Sequence, residues 1–197
     1  MRPWTGVRNA TAFGPLCAQA QSLSPNAARI TGVQVSKEDC LYLNVWTPEW
    51  HSKSQEPVMV YIHGGVNLGG GSSQDTYNGE SLARRGVVLV TINYRLGVFG
   101  FFSHPELTRE SPHHASGNQG ILDQIAALKW VHDNAAQFGG DANNVTIFGE
   151  SAGSLDVSVL MTSPLSRGLF QQVIAQSGSV VELGDPLRLA EAEKRGN

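Results

Sequence analysis

The sequence predicts an α/β fold, a mainly parallel β-sheet with helices on both faces. Short apolar segments rich in β-branched residues recur along the chain, and the later ones alternate with helical patterns. Such alternation requires crossover connections, which join parallel strands and place helices against the sheet. The composition of the 197 residues, 41% hydrophobic and 16% charged, is typical of a globular protein. No repeat or linker-like stretch divides the chain, so we expect one domain over residues 1–197.

Five strands are expected from the apolar segments, most of which are closed by Gly, Pro, Asn or Ser. They cover residues 41–46, 58–62, 87–93, 145–148 and 172–175. Their content of Val, Ile and Leu is typical of strands that are buried on both faces.

The clearest helix lies between the third and fourth of these strands. Its apolar residues recur every three or four positions, at Ile121, Ile125, Leu128, Val131, Ala135 and Phe138. Gly139 and Gly140 then end the helix. The chemistry of such sheets lies at the carboxyl ends of the strands, so motifs that directly follow a strand are the candidates for function.

Charge and hydropathy argue against several classes of function. The net charge is −3, from 14 basic and 17 acidic residues, and no basic cluster points to nucleic acid as a partner. No apolar run approaches the roughly 20 residues that a membrane-spanning helix needs. The first six residues contain no apolar run of signal-peptide length, so we expect no export signal in the chain as given. No metal or cofactor is implied.

A serine motif follows the fourth predicted strand. The segment GESAG at residues 149–153 matches G-x-S-x-G, whose glycines permit a sharp turn from strand to helix. A helix-compatible segment, residues 154–161, comes next. Because this strand–turn–helix order exposes the serine hydroxyl above the sheet, Ser151 is the candidate nucleophile.

A glycine pair follows the second predicted strand and provides a candidate oxyanion hole. Attack on an ester carbonyl creates a negatively charged oxygen, which needs N–H donors fixed in advance. The backbone amides of Gly64, Gly65 or Val66, together with that of Ala152, are the candidate donors. Without Ser151 in the same sequence, the glycine pair would be interpreted as an ordinary loop.

The general base is harder to place. The chain contains six histidines, and none follows Ser151, although acidic residues do, Asp156 among them. His63 is the histidine nearest to the predicted chemistry, and a structural role is the favoured interpretation. A reduced esterase in which His63 serves as the base is the alternative.

The two cysteines leave two interpretations open. Cys17 and Cys40 form the only possible intrachain pair. They could form a disulfide bond, which would fit an oxidising compartment, or remain two buried thiols.

Six segments in order resemble the type-B carboxylesterases, the α/β-hydrolase group that includes the cholinesterases and many bacterial esterases. Two of them are similar to family signatures, EDCLYLNVW at 38–46 and FGESAG at 148–153. Between these lie YIHGG at 61–65, NYRLG at 93–97, GNQG with LDQ at 117–124, and FGGD at 138–141. The resemblance covers nearly the whole chain and implies an α/β-hydrolase-type fold.

The resemblance also implies roles for individual residues. It implies Ser151 as nucleophile and the Ala152 N–H as one oxyanion donor, with the other donors from the segment of Gly64, Gly65 and Val66. It implies a Cys17–Cys40 disulfide bond, hence a secreted or periplasmic protein. It further implies that Arg95 and Asp123 form a buried structural ion pair.

Two departures from the family pattern affect these expectations. Val66 stands where the family usually has a third glycine, which restricts the backbone geometry of that donor. Family members are more than twice as long and take their catalytic acid and histidine from the later part. We therefore expect an incomplete fold that lacks the later strands, and self-association through its exposed sheet edge.

The predicted function is that of a serine carboxylic-ester hydrolase that forms an acyl-enzyme on Ser151 and acts on a small-molecule ester. The alternative is a non-catalytic module, truncated or cholinesterase-like, that binds a partner without a complete triad. Retention of Ser151 and its glycines favours the first interpretation, and the missing histidine favours the second.

Overall fold

The strands and helices are taken from a computed structural model that describes residues 5–19, 36–49, 55–183 and 187–196. The strands in these ranges are β1 (Leu16–Cys17), β2 (Ser36–Lys37), β3 (Leu43–Trp46), β4 (Glu56–Ile62), β5 (Val88–Ile92), β6 (Gly140–Glu150) and β7 (Gln172–Gln176). The α-helices are α1 (Glu80–Ala83), α2 (Gly97–Phe101), α3 (Pro105–Glu110), α4 (Gln119–Asn134), α5 (Ala152–Thr162) and α6 (Leu189–Gly196).

Five strands form one mixed sheet in the order β3-β5-β4-β6-β7. The strands β5, β4, β6 and β7 are parallel to one another, and β3 pairs antiparallel with β5. Val60 at the centre of β4 aligns with Val90 on one side and Ile147 on the other. The prediction of a mainly parallel sheet is therefore confirmed. A separate two-stranded parallel sheet joins β1 and β2.

The core lies around the central strands. All five residues of β5 are buried, so both faces of the sheet are covered at this strand. Helices α4 and α5 contact β6 and each other, whereas α1 contacts β5. Burial of these aliphatic side chains provides the main stabilisation of the sheet, at about 25 cal/mol per Å² of apolar surface.

The predicted elements exist, with two differences in extent. Strand β6 begins at Gly140, five residues before its apolar segment, because Glu56 donates a backbone hydrogen bond to Gly139 and pairs with Gly140. The predicted helical stripe continues to Phe138, but the α-helix ends at Asn134 and Ala135–Phe138 form a 3-10 turn. Gly139 then adopts φ 78°, which confirms its role in ending the helix.

Cys17 and Cys40 form a disulfide bond, as the resemblance implied. Both residues are buried and belong to the main core. The bond links β1 to the segment before β3 across 23 residues. Closing a loop of this length stabilises a fold by about 3 kcal/mol, mainly by restricting the unfolded chain.

The ion pair between Arg95 and Asp123 is also present. Asp123 accepts hydrogen bonds from Arg95 Nε at 2.7 Å and from Nη2 at 2.8 Å. The Asp123 side chain is 7% exposed, but that of Arg95 is 38% exposed, so the pair is buried on one side only. The hydrogen bond with Asp123 raises the pKa of Arg95 further. The pair fixes α4 to the segment that follows β5.

Within the described ranges, no helix has both the length and the apolar content needed to cross a membrane. The expectation that no export signal is present refers to the first six residues. Of these, residues 1–4 lie outside the described ranges.

Candidate functional site

Ser151 occupies a tight turn between a strand and a helix. Strand β6 ends at Glu150, α5 begins at Ala152, and Ser151 between them has φ 56° and ψ −120°. Its N–H donates to the carbonyl of Gln176 in β7 at 2.9 Å, and its carbonyl accepts from Ser154 N and Leu155 N in the first turn of α5. A positive φ is costly for a residue with a side chain, so this geometry persists only because its surroundings fix it.

The two glycines of the motif allow α5 to lie directly against the end of β4. A Cβ at Gly153 would collide with the carbonyl oxygen of Ile62 and approach that of His63 within 2.9 Å. A Cβ at Gly149 would lie 2.5 Å from the Gly153 carbonyl. Any side chain at either position would therefore push the serine turn away from β4.

The segment that follows β4 meets the serine turn. We name residues 64–70 the glycine loop. At Gly64, a Cβ would lie 2.6 Å from the Glu150 carbonyl oxygen and 3.3 Å from the Cβ of Ser151. Gly65 has φ 115°, and a Cβ there would collide with the Gly69 carbonyl, which packs across it. The glycine loop therefore begins in contact with Ser151.

Two residues of the glycine loop other than glycine adopt left-handed backbone conformations. Val66 has φ 60° and Asn67 has φ 57°. Val66 is β-branched and 74% exposed, so packing does not offset the strain of its backbone. The departure noted at Val66 thus has a structural consequence, since the chain keeps a glycine-like conformation without the glycine.

Several backbone amides near Ser151 make no hydrogen bond. In the described part of the chain, nothing accepts from the N–H groups of Gly64, Gly65, Val66 or Ala152. The Ala152 N–H lies in the first turn of α5, where helix geometry leaves donors free and the helix dipole favours negative charge. These amides could stabilise an anionic oxygen.

His63 is held away from this chemistry. The ring is 1% exposed, stacks on Tyr94 with centroids 4.5 Å apart, and places Nδ1 2.8 Å from the Gly64 carbonyl. Burial lowers the pKa of His63 to about 4, against the raising effect of that hydrogen bond. No hydrogen bond joins His63 to Ser151 among the described residues. This environment favours a structural role over that of a base.

A buried polar chain that the sequence did not reveal connects the glycine loop to α5. The Tyr94 hydroxyl lies 2.7 Å from the His63 carbonyl and 2.9 Å from Asn67 Oδ1. Asn67 Nδ2 donates to Asp156 Oδ1 at 3.0 Å, and Gln124 Nε2 donates to Asp156 Oδ2 at 2.5 Å. These hydrogen bonds therefore join four parts of the fold, which are the glycine loop, the segment after β5, α4 and α5.

Asp156 is the charged member of this chain. Burial raises its pKa to about 6, and the hydrogen bonds from Gln124 and Asn67 act in the opposite direction. Gln124 Oε1 is buried without a partner among the described residues. One signal in the sequence was available, because Asp156 shares the buried side of α5 with Gly153, Val157 and Leu160. A carboxylate in an apolar stripe needs a partner.

Within the described ranges, no group of His, Cys, Asp and Glu side chains is arranged to hold a metal ion.

The mainly parallel sheet and the strand–serine–helix turn after β6 define an α/β-hydrolase. A sequence model described as the Carboxylesterase family matches residues 1–184. The chain belongs to the carboxylesterase family.

Its relatives include proteins that are named as esterases. The chain is 46% identical to the fumonisin B1 esterase of Sphingopyxis macrogoltabida, over 99% of this chain and 35% of that protein. It is 49% identical to carboxylesterase 1E of Mus musculus, over 92% of this chain and 32% of that protein. The chain thus spans about a third of the length of these relatives.

Solved structures give the same result. The carboxylesterase of Geobacillus stearothermophilus matches with a TM-score of 0.78 and 46% identity, over 89% of this chain and 34% of that one. A structure named PNB esterase matches with a TM-score of 0.84 and 43% identity, over 98% of this chain and 38% of that one.

The strain at Val66 generates a prediction. Val66→Gly should raise the free energy of unfolding by about 1 kcal/mol, because relief of the left-handed valine outweighs the extra freedom of glycine in the unfolded chain. Urea unfolding followed by circular dichroism measures the difference.

Val98→Gly is the matched control. Val98 is 69% exposed but lies in α2, so the same substitution should cost roughly 0.3–0.5 kcal/mol there. A loss of stability in both variants would contradict the assignment of strain to Val66.

Proposed function

We propose that this chain carries the nucleophile and the oxyanion hole of a serine carboxylic-ester hydrolase. Ser151 is the nucleophile, and the backbone N–H groups of Gly64, Gly65 or Val66 and of Ala152 bind the oxyanion. The observation that carries the proposal is the contact between Gly64 and the turn that holds Ser151. This contact supports the proposal because the amides that make no hydrogen bond begin next to the turn of Ser151.

The reaction would proceed by acyl transfer in two steps. The Ser151 hydroxyl loses its proton to a base as its oxygen attacks the ester carbonyl carbon, and the carbonyl electron pair moves onto the oxygen. The amide donors stabilise that anion, which collapses as the base gives its proton to the leaving alkoxide and so releases the alcohol. Water then gives a proton to the base as it attacks the acyl-enzyme, and the base returns that proton to the Ser151 oxygen as the acid leaves. No described side chain that could serve as the base makes a hydrogen bond to Ser151.

The substrate class is a carboxylic ester. The relatives are named as an esterase of fumonisin B1 and as carboxylesterases, at 46% and 49% identity. These differently named esterases are about equally similar to this chain. The resemblance therefore supports an ester bond, rather than one particular substrate, as the feature that the chain shares with them.

Covalent labelling tests the nucleophile. A fluorophosphonate ester should form an adduct on Ser151 in preference to the other serines, because phosphonylation uses the same hydroxyl and the same oxyanion donors as acyl transfer. Mass spectrometry of the digested protein locates and counts the adduct.

Two variants control this experiment. Ser151→Ala should abolish the adduct, whereas Ser158→Ala should retain it, because the Ser158 hydroxyl donates to Ser154 O further along α5. Equal labelling of the wild type and Ser151→Ala would contradict the proposal and favour the non-catalytic module.

We also propose that residues 1–197 form a single partial domain that associates with a second copy of itself through β7. This strand ends the described sheet, and its Ile174 is 44% exposed. An unpaired strand edge readily pairs with another chain.

Sedimentation velocity tests the association. The sedimentation coefficient should rise with protein concentration, and Ile174→Lys should suppress the rise because charge on an edge strand opposes pairing. Val181→Lys, at a residue 86% exposed outside the sheet, is the control. A concentration-independent monomer would overturn this proposal.

We propose, finally, that the protein is secreted or periplasmic. The Cys17–Cys40 disulfide bond supports an oxidising compartment. Protein isolated from its native host should contain no thiol that reacts with a maleimide after denaturation. Two reactive thiols would contradict this location.

A further inference from the structure

We propose that Asp156 is a positioning residue for the oxyanion hole, whose carboxylate fixes Asn67 of the glycine loop to helix α5. This inference rests on the proposed function, in which the glycine loop and the start of α5 provide the two sets of oxyanion donors. Asp156 touches neither the reacting atoms nor Ser151, and acts through Asn67.

The glycine loop requires an external constraint. Val66 and Asn67 are consecutive residues with positive φ, a conformation that a short exposed loop does not hold by itself. The Val66 side chain is largely exposed and contributes little packing. Leu68 N and Gly69 N donate to the Gly65 carbonyl within the loop, and Gln19 holds Gly70 at its end. The two strained residues themselves are held to the rest of the fold through Asn67.

Asn67 is bound at three points. Its side-chain oxygen lies 2.9 Å from the Tyr94 hydroxyl, its Nδ2 donates to Asp156 at 3.0 Å, and its carbonyl accepts from Gly97 N at 2.7 Å. The contact with Tyr94 comes from the segment after β5, and the contact with Gly97 comes from the first residue of α2. The contact with Asp156 is the hydrogen bond that links Asn67 to α5.

That link joins the two sets of oxyanion donors. The amides of Gly64, Gly65 and Val66 precede Asn67 directly, and the amide of Ala152 opens α5. Asp156 lies just over one turn further along the same helix. An α-helix is stiff over this distance, so the hydrogen bond that Asp156 accepts from Asn67 sets the position of the loop relative to Ala152.

The chemistry of the site explains why an aspartate occupies it. The carboxylate receives N–H donors from both sides, Asn67 Nδ2 at one oxygen and Gln124 Nε2 at the other. Only a group that accepts at both ends satisfies two facing donors. Gln124 belongs to α4, which anchors the carboxylate from the side opposite the loop.

Exchange of the two side chains tests the link. Asn67→Asp places two carboxylates face to face in a buried site, where they repel. Combining Asn67→Asp with Asp156→Asn restores one amide and one carboxylate in reversed order, and Tyr94 and Gln124 keep acceptors. Asp156→Asn by itself should be milder than Asn67→Asp, because the unpartnered Oε1 of Gln124 can rotate to accept from the new amide.

The first measurement is amide hydrogen exchange of the full 197-residue chain, which needs no activity. Asn67→Asp should accelerate exchange of residues 65–69 by about tenfold, and the double variant should return it to within about threefold of wild type. Exchange in α4 serves as the folding reference. If that reference is lost in Asn67→Asp, Asn67→Gly replaces it, because glycine keeps the positive φ while removing the side-chain contacts.

The second measurement is the rate of fluorophosphonate labelling of Ser151 in the same proteins. It should fall about tenfold in Asn67→Asp and recover in the double variant, a rescue that general destabilisation does not produce. Unchanged loop exchange in Asn67→Asp, or a double variant no better than that single variant, overturns the proposal. So does a loosened loop that labels at the wild-type rate.

The two hypotheses fail in different ways. If wild type labels no faster than Ser151→Ala, the proposed function is wrong, yet the exchange data still decide whether Asp156 holds the loop. If wild type labels and the swap has no effect on the loop, the function stands and the role of Asp156 is wrong.

Discussion

The close approach of α5 to the end of β4 is the constraint on which the rest of the site depends. Gly153 lies so near the carbonyls of Ile62 and His63 that no side chain fits between them. Because of this contact, the strand-to-helix turn and the start of the glycine loop share one edge of the sheet. Ser151 directly follows strand β6, and Gly64 lies two residues after the end of strand β4. These two strands are hydrogen-bonded neighbours. The parallel pairing of β4 and β6 therefore brings Ser151 and Gly64 to the same edge of the sheet. Because Gly64 and Gly153 have no Cβ atoms, the two segments can come into contact.

This closeness has an energetic cost that the surrounding structure offsets. Ser151, Val66 and Asn67 all have positive φ values, each of which costs of order 1–3 kcal/mol outside glycine. Strain at Ser151 is offset by the hydrogen bonds that its backbone makes to β7 and α5. Strain in the loop is offset through Asn67, Tyr94 and Asp156, whose hydrogen bonds are partly shielded from water and thereby strengthened. The two strained segments thus share α5 as a common support.

The sequence predicts the sheet well because its information is local: apolar β-branched segments mark the strands, and glycine pairs mark the turns. It fails where a tertiary contact decides, as at residues 140–144, where pairing with the start of β4 extends β6 beyond the apolar segment. The same distinction applies to the site. Ser151 and the glycines form local motifs, whereas Asn67, Gln124 and Asp156 are distant in sequence and only the fold joins them. Neither partner of Asp156 carries a charge, so charge patterning gives no signal.

A buried carboxylate near a site that stabilises negative charge needs a physical justification. In a medium of low dielectric constant, Asp156 in its ionised form disfavours an oxyanion at the start of the same helix. Its described hydrogen-bond partners, Asn67 and Gln124, are both neutral amides, so burial dominates and raises the pKa of Asp156 to about 6. This reduces the average negative charge at neutral pH but does not remove it. The compensating benefit is geometric, because an acceptor at both ends fixes the loop and α4 together. Oxyanion stabilisation depends steeply on the placement of its donors, so rigid placement can outweigh a modest electrostatic penalty.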